Sequence, residues 1–541
     1  MNRQDAGAKL GGKAAWWALA LVALTQAMSM VDRQILAILL PRIKADLNVG
    51  DAEMGLLYGT VFALFYAVFS LPLGRLADGW VRHRLLALSI ASWSLMTALG
   101  GMANSFGLLA LSRLGVGVGE ASVQPAGMSL LSDYFPKQMR GTVTAVIAAS
   151  IAFGLGAALW LGGTVADGWD SLYPKPGSAP LGIKAWQAAF LAAALPGFVL
   201  SILLWRMTEP VRGASDDVLQ PSDPHPFRAS WETLAGILPL FNWFNLARNR
   251  ASAGVWTVNL GGLLLITFAM YWLTHWTDNL REVTPPPLQL GGMPVSGNAL
   301  QWIVTGFGIY VVLNWLQSLK LRDAPAYAII GKTPSLLLLF AIAALQSVIN
   351  YGVMAWSPSF IIKSYGASPA EVGLYFGALV AGIGIVGPLI AGPLSDWVHR
   401  KIRGGRMYVT LFSLTVSPLI ALWAYRAETI GAFYLEFTLY SLLVTMWIPP
   451  IYASFLDLVL PRMRGAVMSF YILTMTITGL GMGPYIVGLV SDSNGGDLGS
   501  AILSVYWLAP ALVLLVLLVI GRLPKDEATL LERARAAQEK I

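Results

Sequence analysis

Cysteine is absent from this 541-residue chain, histidine occurs only four times, and Asp, Glu, Lys and Arg together make up 12% of the residues. Without cysteine, the chain can form no disulfide, zinc–thiolate site or thiol nucleophile. No histidines have the spacing of a metal site and no G-x-x-x-x-G-K-[ST] phosphate loop is present, so neither a metal nor ATP-driven transport is predicted. No nucleophile has a base at a recognisable spacing, which argues against an enzyme. A soluble protein carries about 25% charged residues, so this chain is not expected to be soluble.

Long apolar runs dominate the chain instead. Hydrophobic residues make up 56% of it, and the mean hydropathy is +0.64. A helix needs about 20 apolar residues to cross the ~30 Å hydrocarbon core of a bilayer. The sequence therefore predicts an all-α polytopic membrane protein with fourteen spans. They are expected at about 15–40, 53–74, 84–104, 106–131, 142–163, 186–206, 255–275, 301–319, 335–361, 371–393, 407–425, 431–456, 466–489 and 501–521.

The distribution of Lys and Arg predicts the orientation of these spans. With the N-terminus inside, cytoplasmic segments hold 27 of the 36 Lys and Arg residues, outer loops hold 7, and 2 lie within spans. Positively charged loops stay in the cytoplasm, so this asymmetry supports an even number of spans. The first run is too long for a cleaved signal and is interpreted as an uncleaved span. Both termini are predicted to be cytoplasmic, in a multi-pass protein of the inner (plasma) membrane.

Two motifs each occur twice, in the same order. One is G-x-L-x-D followed by tryptophan and basic residues; the other is an aspartate followed after a few residues by Met-Arg-Gly. Glycine lets helix ends approach closely, an aspartate is stabilised near a helix N-terminus, and basic residues hold a loop at the anionic inner leaflet. Either loop alone could be an ordinary topology determinant, but the recurrence indicates two homologous halves. The expected conformational switch loops contain Gly74, Asp78, Arg82, Arg84, Asp133, Arg140, Gly392, Asp396, Arg400, Asp457 and Arg464.

The loop from Gly74 to Arg84 resembles the signature loop of the major facilitator superfamily, and the repeat near Gly392 is similar to that of its second half. The resemblance implies the major facilitator fold, with six-helix bundles at 1–207 and 334–541. Residues 208–333 depart from a twelve-helix plan and are interpreted as a cytoplasmic amphipathic linker followed by an extra two-helix hairpin. The implied activity is secondary transport by alternating access, with the site near the bilayer midplane.

A narrower resemblance is to the spinster family of lipid transporters. It rests on Met30-Val-Asp32-Arg33, on the string from Arg113 to Ala121 that contains Glu120, and on Tyr351-Gly352 with Trp356-Ser-Pro358. This resemblance implies proton-linked transport of a lysolipid or sphingosine-phosphate type of solute. It also implies that Asp32 and Glu120 are the proton-sensing carboxylates.

Four ionisable residues within spans are the strongest site candidates, because each costs about 2.5–3.5 kcal/mol at a helix centre. At 1.5 Å per residue, Asp32 and Arg113 lie about 12–15 Å from the outer ends of their spans, so they can form an ion pair. The hypothesis is that Asp32 pairs with Arg113 and Arg33, whereas Glu120, deeper and without a cation, holds a proton. Protonation of Asp32 would then free Arg113 for an anionic headgroup. A purely structural salt bridge is the alternative.

Two glycines and two other side chains complete the candidate set. Gly115 and Gly119 form G-x-x-x-G, which predicts close helix packing, either static or sliding during transport. Glu436 lies near the end of its span, where an interfacial or helix-pairing carboxylate is the favoured interpretation. Trp356 is a further candidate from the spinster-like string.

The first functional hypothesis is proton-linked transport of an amphipathic anion, because a buried arginine would meet a headgroup while an apolar cavity takes a tail. The alternatives are a soluble organic anion, a sugar-type metabolite or a drug as the solute. A non-transporting sensor or an intramembrane lipid enzyme is a different class of alternative. Protons are the expected coupling ion, with no cofactor. The expected partners are the solute and the lipid bilayer, without nucleic acid, and the protein is expected to be a monomer.

Overall fold

The computed structural model describes residues 10–175, 177–212, 224–248, 250–281, 285–290, 293–460 and 463–539. Within these residues, 13 helices are long and apolar enough to cross a membrane. The predicted run at 84–104 corresponds to the 19-residue helix Arg82–Gly100, which is not among the 13. The polytopic helical fold is therefore confirmed, but the count of fourteen spans is not. Residues 213–223 of the predicted linker lie outside the described part.

Twelve of the long helical segments form two sets of six. In the N-terminal half, spans 1 to 6 are Lys13–Leu47, Asp51–Gly79, Arg82–Gly100, Phe106–Tyr134, Arg140–Leu172 and Ala185–Trp205. In the C-terminal half, spans 7 to 12 are Pro334–Tyr365, Pro369–Lys401, Arg406–Ala424, Ile430–Asp457, Arg464–Ser493 and Leu498–Ala528. Spans 2 and 11 each contain a π-helical turn, Leu56–Thr60 and Met475–Leu480.

Between the halves lies a hairpin of two long helices, Ala253–Asn279 and Gly297–Arg322. Its tip contains two short antiparallel strands, Leu288–Leu290 and Met293–Val295. Short helices outside the spans are Pro226–Ile237, Phe241–Arg248, Ala324–Lys332 and Leu530–Ala536, with 3₁₀ turns at Lys137–Met139 and Pro180–Gly182. Span 12 contains a further 3₁₀ turn, Val505–Leu508. The predicted amphipathic stretch at 231–250 is thus divided between two helices that meet near Pro239.

The bundle has two ends, and each is defined by the loops it carries. The loops around Gly74 and Gly392 and both described chain ends lie at one end, which we call the motif end. The opposite end carries the turn between spans 1 and 2 and is called the distal end. At the motif end, an arginine that begins span 3 or span 9 binds the aspartate that ends span 4 or span 10.

At the distal end the two halves are closed against each other. Span 2 packs against span 11, where a Cβ atom at Gly59 would overlap the carbonyl oxygen of Leu480. Span 5 packs against span 8 in the same way, because Gly373 leaves no room between its backbone and the carbonyl oxygen of Leu159. Glycine permits backbones to approach this closely in membranes. The distal ends of the halves are therefore in backbone-to-backbone contact.

The hairpin lies along spans 2 and 11. The side chain of Gln301 accepts from the Thr60 hydroxyl at 2.6 Å and donates to the carbonyl oxygen of Gly481 at 3.1 Å. Tyr485 of span 11 donates to Asn298 at 2.8 Å. The second hairpin helix thus contacts both halves through buried polar groups, whereas most side chains of the first hairpin helix are exposed on the outside of the bundle.

Candidate functional site

A cavity of about 340 Å³ lies between the two halves. Spans 1, 2, 4 and 5 line one side of it, and spans 7 and 11 line the other. One part of the wall is polar and consists of Arg33, Gln34, Tyr58, Arg113, Asn350 and Tyr351. The other part is apolar and consists of Met30, Phe62, Ile151, Leu155, Met354 and Leu480. The cavity is therefore amphipathic and both of its charged lining residues are arginines.

Arg33 forms an ion pair with Glu120 across spans 1 and 4. The Nε atom of Arg33 donates to Oε2 of Glu120 at 2.6 Å, and the hydroxyl of Ser29 donates to the same oxygen at 2.7 Å. The Glu120 side chain is fully buried, while that of Arg33 is 22% exposed. The carboxylate thus lies behind the arginine, and the guanidinium faces the cavity.

Asp32 and Arg113 are neighbours but interact through the main chain. Nη1 of Arg113 donates to the main-chain carbonyl oxygen of Asp32 at 2.8 Å. The Asp32 carboxylate accepts from the hydroxyl of Thr97, in span 3, at 2.8 Å. Both Asp32 and Arg113 are almost fully buried. Arg113 is therefore anchored to the backbone of span 1, and its charge is not neutralised by a direct carboxylate contact.

The predicted pairing was wrong: the Asp32 carboxylate contacts neither Arg113 nor Arg33, and Glu120 pairs with Arg33. The geometry of span 1 explains why Arg33 does not contact Asp32. Successive helical residues are rotated by about 100°, so Asp32 and Arg33 cannot point at the same neighbour. Asp32 points towards span 3, where Thr97 binds it, and Arg33 points towards span 4. Glu120, expected to lack a cation, is thus the carboxylate that holds one.

Several buried polar atoms of this site have no hydrogen-bond partner. They are Nε and Nη2 of Arg113, Oδ2 of Asp32 and Oε1 of Glu120. Buried polar atoms are nearly always satisfied, so unpaired ones indicate a place where a proton, water or ligand binds. In Arg113 the unpaired groups are N–H donors of a guanidinium that lines the cavity. They can bind the oxygens of a phosphate or carboxylate in a bidentate manner.

Aromatic residues of span 2 surround the cavity arginines. The guanidinium carbon of Arg33 lies 4.7 Å from the ring centre of Phe62 and 4.5 Å from that of Tyr66. Such cation–π contacts stabilise a partly desolvated guanidinium. Tyr66 is not among the residues predicted from the sequence, because the register of span 2 against span 1 is a tertiary property.

The glycines of span 4 separate its neighbours on two sides. Cβ atoms at Gly115 and Gly119 would collide with Met96 and Trp93 of span 3. A Cβ at Gly117 would lie 2.7 Å from the carbonyl oxygen of Phe62 in span 2. The G-x-x-x-G pair therefore faces span 3, and the glycine between them allows span 2 to approach. Close packing on both sides positions Arg113 and Glu120.

The predicted switch residues lie at the motif end, away from the cavity. Buried Arg82 donates to Asp133 at 2.6 Å and to Glu209 at 2.7 Å. In the second half, Arg406 binds Asp457 and lies 3.1 Å from Asp396. Arg400 is among the switch residues predicted from the sequence, whereas Arg406, Glu209 and Arg212 are not.

The remaining switch residues have less extensive contacts. Arg400 donates to the main chain of Asp396 at 3.4 Å, and the main-chain carbonyl of Asp78 accepts from Arg212. The guanidinium of Arg84 lies 5.5 Å from the ring of Trp205. Gly74 approaches Pro125 at an ordinary distance, Gly392 has open space around it, and Arg140 and Arg464 begin spans 5 and 11.

Two weaker candidates lie outside the central cavity. Glu436 is in span 10 and does not line it, although one of its oxygens is buried without a partner. Trp356 is buried in span 7, where its indole N–H donates to the carbonyl oxygen of Pro484 at 2.8 Å. Trp356 thus joins spans 7 and 11 of the same half.

This chain is similar to several known proteins. The family model described as Major Facilitator Superfamily matches residues 22–482. An MFS-type efflux pump of Mycolicibacterium smegmatis is 25% identical over 91% of this chain and 87% of its own length. The protein spinster of Drosophila melanogaster is 27% identical over 38% of this chain and 31% of its own length. The sphingosine-1-phosphate transporter SPNS2 of Danio rerio is 29% identical over 40% of each chain.

Among solved structures, a bacterial homolog of the human lysosomal transporter spinster, in an inward-facing and unoccupied conformation, matches the whole fold. The TM-score is 0.64 at 19% identity, covering 96% of this chain and 98% of that one. The spinster relatives align with only part of their length, and this structural match shows the fold alone.

Proposed function

Because the chain belongs to the Major Facilitator Superfamily, we propose that it is a proton-linked transporter of an amphipathic anion that binds in the central cavity. The observation that carries this proposal is the guanidinium of Arg113, which lines the cavity with two unpaired nitrogens. An anionic headgroup would supply the missing acceptors. The apolar lining residues, among them Ile151 and Leu155, would contact a hydrocarbon tail.

Glu120 is the proposed proton acceptor, with Asp32 as a second titrating group. Protonation of Glu120 would neutralise the partner of Arg33 and leave that guanidinium, which already faces the cavity, free to bind an anion. The contacts with Phe62 and Tyr66 would hold it there. One proton would thus exchange the partner of one arginine, which couples protonation to the binding of an anion.

The solute is proposed to be lysolipid-like. The sphingosine-1-phosphate transporter among the relatives supports this class, as does the mixture of cationic and apolar side chains that line the cavity. A second cavity of about 170 Å³, lined by Tyr66 and by Trp315 of the hairpin, adds space towards the motif end. A drug-like organic anion is the second candidate, favoured by the efflux pump that aligns with nearly the whole chain.

The motif end is proposed to face the cytoplasm of a cell whose inner membrane holds the protein. The excess of Lys and Arg at that end supports this orientation through the positive-inside rule. The distal end would then face outwards, and its closure corresponds to an inward-facing state. The protein is proposed to act as a monomer.

Flux in proteoliposomes with an imposed proton gradient tests the proposal. Uptake or release of a labelled lysophospholipid should follow the gradient in the wild-type protein and lose this dependence in Glu120→Gln. Glu232→Gln, which makes the same change at an exposed carboxylate of the helix Pro226–Ile237, is the matched control and should keep the dependence. Flux that ignores the gradient in the wild-type protein would disprove proton coupling, and flux of a drug anion alone would favour the second candidate.

A further inference from the structure

The hairpin between the halves places an arginine inside the distal closure. Arg281 follows directly after the first hairpin helix, and its side chain is only 2% exposed. Its Nη1 lies 2.7 Å from Oε1 of Glu53, in span 2, and its Nη2 lies 3.2 Å from Oδ2 of Asp492, in span 11. This guanidinium therefore connects the N-terminal half, the C-terminal half and the hairpin.

Both carboxylates also bind the beginning of span 2. Glu53 accepts from the backbone N–H of Gly50 at 3.1 Å. Asp492 reaches across from the other half and accepts from the N–H groups of Asp51 at 2.8 Å and Ala52 at 3.0 Å. The first N–H groups of a helix have no partner within it and carry partial positive charge, so a carboxylate is stabilised there. Asp492 thus fastens span 11 to span 2.

The other side of the distal closure has an equivalent fastening built from the halves alone. Asp167, near the end of span 5, accepts from the backbone N–H of Ala370 at the beginning of span 8, at 2.9 Å. Its arginine is Arg42 of span 1, at 2.7 Å, which belongs to the same half as Asp167. In the C-terminal half, Lys363 near the end of span 7 donates to the carbonyl oxygen of Gly496 at 2.6 Å. This contact stays within one half and does not connect the two halves.

We propose that Arg281 is a positioning residue for alternating access: it holds Asp492 on the beginning of span 2 and so makes the hairpin part of the distal gate. The contact with Glu53 is bidentate, at 2.7 and 3.4 Å, while Asp492 receives one nitrogen at 3.2 Å. Arg281 therefore stays with Glu53 when the gate opens, and span 11 leaves. Loss of the arginine weakens the closed state specifically.

This inference rests on the chain being an alternating-access transporter, and it needs neither the proposed solute nor proton coupling. Its test can therefore be made without either. The chain contains no cysteine, so two introduced cysteines give a clean pair of spin labels. Ala45→Cys and Asn494→Cys place labels on exposed positions of the two halves at the distal end.

The experiment measures the distance distribution of this pair by double electron–electron resonance in nanodiscs. Arg281→Gln should raise the ratio of distal-open to distal-closed molecules about tenfold, since a hydrogen bond between charged groups is lost. Arg281→Lys, which keeps the charge, should restore part of the closed population. Arg228→Gln is the control. It removes an arginine of the short helix Pro226–Ile237 from an exposed pair with Glu232 and should leave the distribution unchanged.

A second variant keeps the test decisive if Arg281→Gln does not fold. Asp492→Asn leaves the buried Arg281 paired with Glu53, so it removes only the connection between the halves. It should also increase the distal-open population. A closed distribution that persists in Asp492→Asn, and in Arg281→Gln where that variant folds, would overturn the proposal, while leaving the proposed function untouched.

Discussion

Replacement of Arg113 by glutamine is the sharpest perturbation of the cavity. The change keeps most of the side-chain volume and an amide that can still donate to the carbonyl oxygen of Asp32. It removes the positive charge and the two guanidinium nitrogens that are buried without a hydrogen-bond partner. We expect the affinity for an anionic amphiphile to fall, while the affinity for a neutral amphiphile of the same chain length stays unchanged.

The size of the effect follows from the state of Arg113 in the empty protein. Its side chain is already 1% exposed, so a ligand causes almost no further desolvation of it. A hydrogen bond to a charged group contributes about 1.5–3 kcal/mol, and each 1.4 kcal/mol corresponds to a factor of ten in the dissociation constant. Loss of one such contact therefore predicts weakening by about 10- to 100-fold. Arg113→Lys should lie between, because an ammonium keeps the charge but not the planar pair of donors.

Titration calorimetry in nanodiscs measures these dissociation constants. Arg84→Gln is the control variant, since it removes the same charge from an exposed position at the motif end. Thermal unfolding followed by tryptophan fluorescence establishes that each variant is folded. An equal loss of affinity for the neutral and the anionic amphiphile, or a loss below about threefold for the anion, would show that Arg113 does not bind the headgroup.

Three further pairs of substitutions separate packing from charge. Arg82→Gln breaks a buried network and should lower the free energy of unfolding by about 3–5 kcal/mol. The acceptors of Arg406 are about half exposed, so Arg406→Gln should lower it by about 1 kcal/mol or less in the same unfolding assay. Equal shifts would contradict the difference in burial. Gly59→Ala would drive a methyl group into the carbonyl oxygen of Leu480, so the distal spin-label pair should report opening, while Gly382→Ala, with open space around it, should not change the distances. In Gly117→Ala the new methyl group meets a backbone oxygen of Phe62, so the free energy of unfolding should fall by about 1–3 kcal/mol. Gly115→Ala meets the flexible side chain of Met96 and should lower it less. The reverse order would refute this packing of span 4.

The general architecture was predictable because it depends on quantities that are local in sequence. Apolar length defines a span, and 13 of the fourteen predicted runs correspond to helices that meet that requirement. Recurrence of the Gly74 motif at Gly392 predicted two halves, and the family match confirms the superfamily. The run at 84–104 failed the hydropathy criterion because its helix begins with Arg82, His83 and Arg84, which belong to the motif-end network.

The pairing inside the cavity was not predictable at the same level. Depth along a helix can be counted, and it places Asp32 near Arg113, but the azimuth of each side chain depends on how the spans are rotated against each other. Thr97 binds Asp32 from span 3, whose candidate residues, Arg82 and Arg84, both lie at the beginning of the helix. Arg113 donates to a backbone carbonyl oxygen, and no sequence pattern predicts such an acceptor. Arg281 was missed for a similar reason, since its partners lie more than 200 positions away in the chain.

The charges of the cavity explain why an anion and a proton would enter together. Asp32 and Glu120 balance Arg33 and Arg113, so the four groups are neutral as a set when both acids are ionised. A net charge in a low-dielectric interior is costly, and pairs of buried charges gain little beyond their desolvation. An anionic headgroup alone would therefore leave the site with a net negative charge, and a proton alone would leave it positive. Binding of both keeps the set neutral, with the proton on Glu120 and the headgroup on the guanidinium groups that line the cavity.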